Sequence, residues 1–84
     1  MKVQVLAVGC ARCRLLEVIT DTALEELGWE ERMERITDVE VAKAQGVKAM
    51  PVLLLDDKVV LWGRVPMVEE VKTLLLAARK AEKA

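Results

Sequence analysis

The stretch "GVKAMPVLLLDDKVVLWGR", residues 46 to 64, decides the fold. A Gly-Val pair closes whatever precedes it, a proline stands five residues on, and two apolar runs flank an acidic break. "PVLLL" and "VVLW" are apolar and partly β-branched, so they read as strands, and Asp56-Asp57-Lys58 reads as the turn between them. Pro51 heads the first run, where its missing N–H removes no ladder hydrogen bond. Beyond the second run, Pro66 opens a helix whose apolar stripe is Val68, Val71, Leu74, Leu75 and Ala78. Glu69 and Glu70 near its start, and Arg79, Lys80 and Lys83 near its end, complement the helix dipole.

Towards the N-terminus, "TDVE" (37–40) predicts a capping box of Thr37 with Glu40, opening a short helix that Gly46 closes. "EERMERI" (30–36) predicts a polar edge strand. From Ala11 to Leu27, apolar residues at 16, 19, 23, 24 and 27, together with Thr20, form one helical stripe that Gly28 ends. Residues 2 to 8, "KVQVLAV", predict a largely buried strand ending at Gly9. The element order is βαβαββα.

With 84 residues, 54% apolar and 32% charged, the chain is expected to fold as one small globular domain over 1–84. Its net charge is −1 with scattered basic residues, which argues against nucleic acid or an anionic membrane as partner. No apolar run approaches the roughly 18 residues of a membrane span. The first ten residues are too short for a signal peptide, and Gln4 interrupts them, so a cytoplasmic location is expected. Histidine is absent, and with it the usual general base and the commonest metal ligand. Abundant Glu, Arg and Lys beside few thermolabile residues lean towards a thermophilic source.

The chemistry concentrates in "GCARC", residues 9 to 13, between the first strand and the first helix. Cys10 and Cys13 are the only cysteines. Residues three apart at a helix start have Cα atoms roughly 5–6 Å apart, within reach of a disulfide. Cys10, ahead of the first turn, is expected to be exposed. The helix dipole, Arg12 and Arg14 favour its thiolate, moving its pKa below the usual value of about 8.5. Cys10 is therefore the expected attacking thiol, and Cys13, one turn in and more buried, the resolving one. Two cysteines without further thiols or imidazoles cannot complete a four-ligand zinc site, and a structural disulfide over so short a loop constrains the unfolded chain little. A redox dithiol leads, with soft-metal transfer and an inert pair as alternatives.

Both signatures together resemble the thioredoxin superfamily, and in particular the small redox-active disulfide proteins of prokaryotes. "GCARC", "ITDVE", "MPVLLLDDKVV" and "GRVP" carry the resemblance over nearly the whole chain. It implies an α/β thioredoxin-like fold with a four-stranded mixed sheet in the order 4-3-1-2, two helices on one face and one on the other. It also implies a cis Met50–Pro51 bond facing the cysteines, with Met50 and Pro51 forming the substrate-binding site. The implied activity is thiol–disulfide exchange by a monomer, using Cys10 and Cys13 without a metal or organic cofactor. The expected partners are a disulfide-containing protein or small molecule and a thiol reductase as electron donor. Gly9 replaces the aromatic residue of thioredoxins proper, and Ala49-Met50 replaces the Thr-Val of glutaredoxins, which argues against glutathione. Gln4 on the first strand is no acid, which leaves Cys13 without an assigned proton acceptor. The rival functions are a soft-metal carrier for copper, zinc or arsenic, and a non-catalytic adaptor. Ferredoxin-like metal carriers end in a strand, whereas this chain ends in a helix. Trp29 and Trp62 are expected to serve packing.

Overall fold

The computed structural model describes residues 1–7 and 11–83. The elements are β1 (Val3–Leu6), α1 (Ala11–Glu26), β2 (Met33–Ile36), α2 (Val39–Lys43), β3 (Val52–Leu55), β4 (Lys58–Trp62) and α3 (Val68–Lys83). The strands form one sheet in the order β2-β1-β3-β4, which is the expected mixed α/β arrangement. β1 runs parallel to β2 because α1 carries the chain back between them, and antiparallel to β3.

β1 and β3 lie in the middle of the sheet, and all eight of their residues are buried. Alternation sends Val3, Val5, Leu53 and Leu55 to a core shared with Leu16, Ala23 and Leu24 of α1 and Val71 and Leu75 of α3. Leu6, Val52 and Leu54 face the opposite way and pack with Ala42 of α2 and Val47. Two helices thus cover one face and one covers the other.

β4 serves both cores through an irregularity. Leu53 pairs with Leu61, but Leu54 pairs with Val59, so Val60 is an extra residue. In a regular strand Val59 and Leu61 would share a face. The bulge instead places Leu61 in the α1–α3 core and Val59 against the α2 core.

The helix ends follow local hydrogen bonding. At the end of α1, Gly28 takes φ +70° while its N–H donates to Glu25 O (3.0 Å) and Trp29 N–H donates to Leu24 O (3.1 Å). That double closure needs a left-handed residue, which glycine supplies without a Cβ penalty. The capping expectation at Thr37 is corrected by one residue. Asp38 is the N-cap, its Oδ1 accepting the Glu40 N–H at 3.0 Å, because its short carboxylate reaches the amide two residues on. α3 starts at Val68, two residues after Pro66, and the Met67 carbonyl accepts the Glu70 and Val71 N–H groups. The hairpin turn is Asp56-Asp57 alone, at φ 49° and 69°, and Lys58 already belongs to β4. Asp56 is held to the start of β1 by its N–H donating to Lys2 O (2.9 Å) and its Oδ1 accepting the Lys2 N–H (2.8 Å). Among the described residues no helix is long and apolar enough to cross a membrane.

Candidate functional site

Leu6 and Val52 are partners across β1 and β3. The segment that leaves β1 for α1 and the residue that enters β3, Pro51, therefore lie at the same end of adjacent strands. Trp62, the partner of Val52, brings the end of β4 there too. This end of the sheet holds the candidate site.

The Met50–Pro51 peptide bond is cis. Pro51 is buried, and Met50 is half-buried against the α2 core. The Pro51 carbonyl accepts the Gly63 N–H at 3.0 Å. Gly63 has φ +82°, and a Cβ there would lie 3.7 Å from that of Ala49. A residue in that conformation, bonded to Pro51, ties the loop after β4 to the proline.

Cys13 lies in the first turn of α1, fully buried, with its sulfur in a disulfide. The role read for Cys10 falls outside the described residues. Arg12 and Arg14 are exposed on the same turn and the next, and the first turn of α1 carries no acidic residue. The structure thus brings Cys13, Met50 and Pro51 to one end of the sheet and leaves both arginines on the surface of α1. Trp62 is 43% exposed at this end and is not the packing residue expected. β4 is an edge strand, and of its last two residues only Leu61 is buried. Trp29 does pack against the α1–α3 core, with the Arg79 guanidinium 3.8 Å from its ring centre. The open cavity of about 610 Å³ beside it, lined by Gly28, Trp29, Glu30, Glu31 and Arg79, lies past the far end of α1 from Cys13.

Sequence reading missed one polar group, Glu17. It is 6% exposed on the inward face of α1, one turn after Cys13. Arg35 of β2 closes a two-point fork on it, Nε donating to Oε1 and Nη2 to Oε2 at 3.1 Å. The hydrogen bond and then the charge of Glu17 hold the Arg35 guanidinium above its usual pKa. The signal was present, since position 17 falls inside the stripe 13, 16, 17, 20, 23, 24 and position 35 shares the face of Met33.

A buried cysteine at a helix start and a cis-proline heading the adjacent central strand define a thioredoxin-type site. The chain belongs to the thioredoxin domain family, which its residues 1–76 match. It is 36% identical over 75 residues to a thioredoxin of Methanothermobacter thermautotrophicus, covering 89% of this chain and 97% of that protein. It is 33% identical over 70 residues to a thioredoxin of Methanocaldococcus jannaschii, covering 83% of this chain and 80% of the relative.

Proposed function

We propose that this protein is a thiol–disulfide oxidoreductase of the cytoplasm, exchanging electrons through Cys10 and Cys13 with a disulfide-bearing substrate. The observation that carries the reading is the disulfide-bonded, fully buried Cys13 in the first turn of α1, at the sheet end where Pro51 enters β3. Cys10 is the only other cysteine of the chain. The thioredoxin relatives support the same activity.

The Cys10 thiolate attacks one sulfur of the substrate disulfide, forming a mixed disulfide and expelling the other sulfur as thiolate. Cys13, deprotonated, then attacks Cys10, closing the Cys10–Cys13 bond and expelling the second substrate thiolate. Two electrons pass to the substrate, and a thiol reductase returns them. An extended substrate segment pairs with the backbone at Met50, in the manner of an added strand, while its disulfide meets Cys10. Exposed Trp62 offers this segment an apolar neighbour at the same sheet end.

The test is trapping. Reduced Cys13→Ser protein mixed with insulin should accumulate a covalent adduct through Cys10, which dithiothreitol releases, and Cys10→Ser should form none. Failure of Cys13→Ser to form any adduct would remove the proposal.

A further inference from the structure

A helix that packs on a sheet is ordinarily apolar on one side, and α1 is apolar on two. Its inward side places Leu16, Ala23 and Leu24 in the core. Its outward side carries Ala11, Leu15, Val18 and Thr22, with Leu15 50% and Val18 61% exposed. Single exposed apolar residues are common on protein surfaces. These four instead alternate in steps of four, three and four residues, the spacing that makes a seam along one helix face and that paired helices share. Thr22 suits the seam because its hydroxyl is already engaged, donating to Val18 O at 2.8 Å within the helix.

The charges beside the seam are sorted by sign along the helix. Arg14, Asp21 and Glu25 line one flank, and Arg12 and Glu26 the other. The cations thus stand near the start of α1 and the acids towards its end, with no acid in the first turn and no base in the last. That order opposes the helix dipole. Thiolate tuning accounts for the arginines but not for the acids. Asp21 and Glu25, four apart, also repel each other. Among the described residues none of Arg12, Arg14, Asp21 and Glu25 is ion-paired, and Glu26 binds Lys72 of α3. The one acid of α1 three or four positions from Arg14 is Glu17, which Arg35 holds. Arg32 lines a cavity with Asp21 and Glu25 yet bridges neither. Within one chain this arrangement gains nothing.

We infer that this face of α1 is a contact between two copies of the chain, laid antiparallel about a two-fold axis at Val18. Val18 then meets its counterpart, and Leu15 of each copy falls between Val18 and Thr22 of the other. Arg14 comes opposite Asp21 of the second copy, and Arg12 opposite Glu26, each contact occurring twice by symmetry. Antiparallel alignment also sets the positive end of each helix dipole beside the negative end of the other. A parallel pair would set cation against cation, and a partner of uniform charge would match one end of the face and clash with the other. A second copy matches both. The helix is about 24 Å long for its 16 residues and offers the seam two large apolar side chains. The dimer therefore belongs with the weak interfaces of under about 1,200 Å², and at micromolar concentrations the chain is a monomer.

Sedimentation equilibrium of the oxidised protein tests this, because the association uses no exchange chemistry and a closed disulfide excludes covalent dimers. Chain at about 1 mM should contain dimer that dilution to about 10 μM removes. Leu15→Asp, which puts a charge in the seam, should weaken association about tenfold or more. Arg14→Asp and Asp21→Arg should each weaken it about tenfold or more, since like charges then face each other twice. Mixed in equal amounts, these two variants should associate as the wild type does, because each supplies the charge the other lacks. Such a rescue excludes misfolding as the cause of either loss. Monomer alone at the higher concentration, a dimer that Leu15→Asp leaves intact, or two charge variants that fail to pair on mixing would each overturn the inference.

Discussion

Pro51 and Gly63 show how single residues hold the site. The proline carbonyl accepts the glycine N–H, and the left-handed backbone at residue 63 leaves room beside Ala49. Arg12 and Arg14 act at the same scale. They are exposed on the first turns of α1, where cations and the helix N-terminus both favour an anion. Replacing both by alanine should raise the Cys10 pKa modestly, and by less in high salt, because exposed charges are screened over about 10 Å at 0.1 M. Thiolate absorbance against pH in the Cys13→Ser variant measures this, and an unchanged titration would assign the effect to the helix alone. Residue chemistry of this kind was legible because the C-x-x-C stood at a visible strand-to-helix corner. Glu17 was passed over because a glutamate on a helix is ordinarily a solvated residue, although its position falls inside the buried stripe of α1.

Among the elements, β4 shows where sequence pattern runs out. The run "KVVLW" announces a strand, but period-two alternation assigns Val59 and Leu61 to one face. The extra residue Val60 separates them, and a bulge has no signature in an all-apolar run. A corresponding asymmetry in stability is expected. Leu61→Ala should cost about 2–5 kcal/mol, as for a buried leucine, whereas Val60→Ala should cost less than about 1 kcal/mol. Urea unfolding measures both, and equal losses would mean that Val60 is a core residue and the bulge is misplaced. The N-cap of α2 teaches the same lesson on a smaller scale. The sequence pattern put the cap on Thr37, whereas the backbone angles of Asp38, φ −78° and ψ 99°, and its Oδ1 accepting the Glu40 N–H put it one residue later. The strand order and the division of the helices, by contrast, were legible only through the family resemblance, and the sheet has the order it implies.

The whole molecule is tied together by surface ion pairs whose titration lies outside the neutral range. Glu31 is held below the usual carboxylate pKa by its own backbone N–H, by Arg79 and by the N-terminal ammonium, and Glu70 by the Arg64 fork. Lys2 and Lys72 are held above the usual lysine value by hydrogen bonds to Asp57 and Glu26. A depressed carboxylate stabilises the fold above its unfolded pKa, here 4.5, and that contribution is lost as pH falls through the lower folded value. A raised lysine stabilises below 10.5 and loses its contribution as pH rises through the higher folded value. The sequence has no histidine to titrate between these limits. The urea midpoint of the oxidised protein should therefore fall as pH drops below about 4.5 and as it rises above about 10.5, shallowly because exposed pairs are weak. A marked slope between about pH 5.5 and 7 would point to a titrating group that these pairs do not include.

The central claim is that Cys10 and Cys13 form one exchange couple at the Pro51 end of the sheet. Its most direct measurement is a redox titration, with the protein equilibrated in dithiothreitol buffers of graded potential, alkylated, and weighed by mass spectrometry. The account predicts a single reversible transition of two electrons, in which both cysteines gain or lose their label together. Labelling of one cysteine independently of the other, or a disulfide that never reopens across the series, would contradict it.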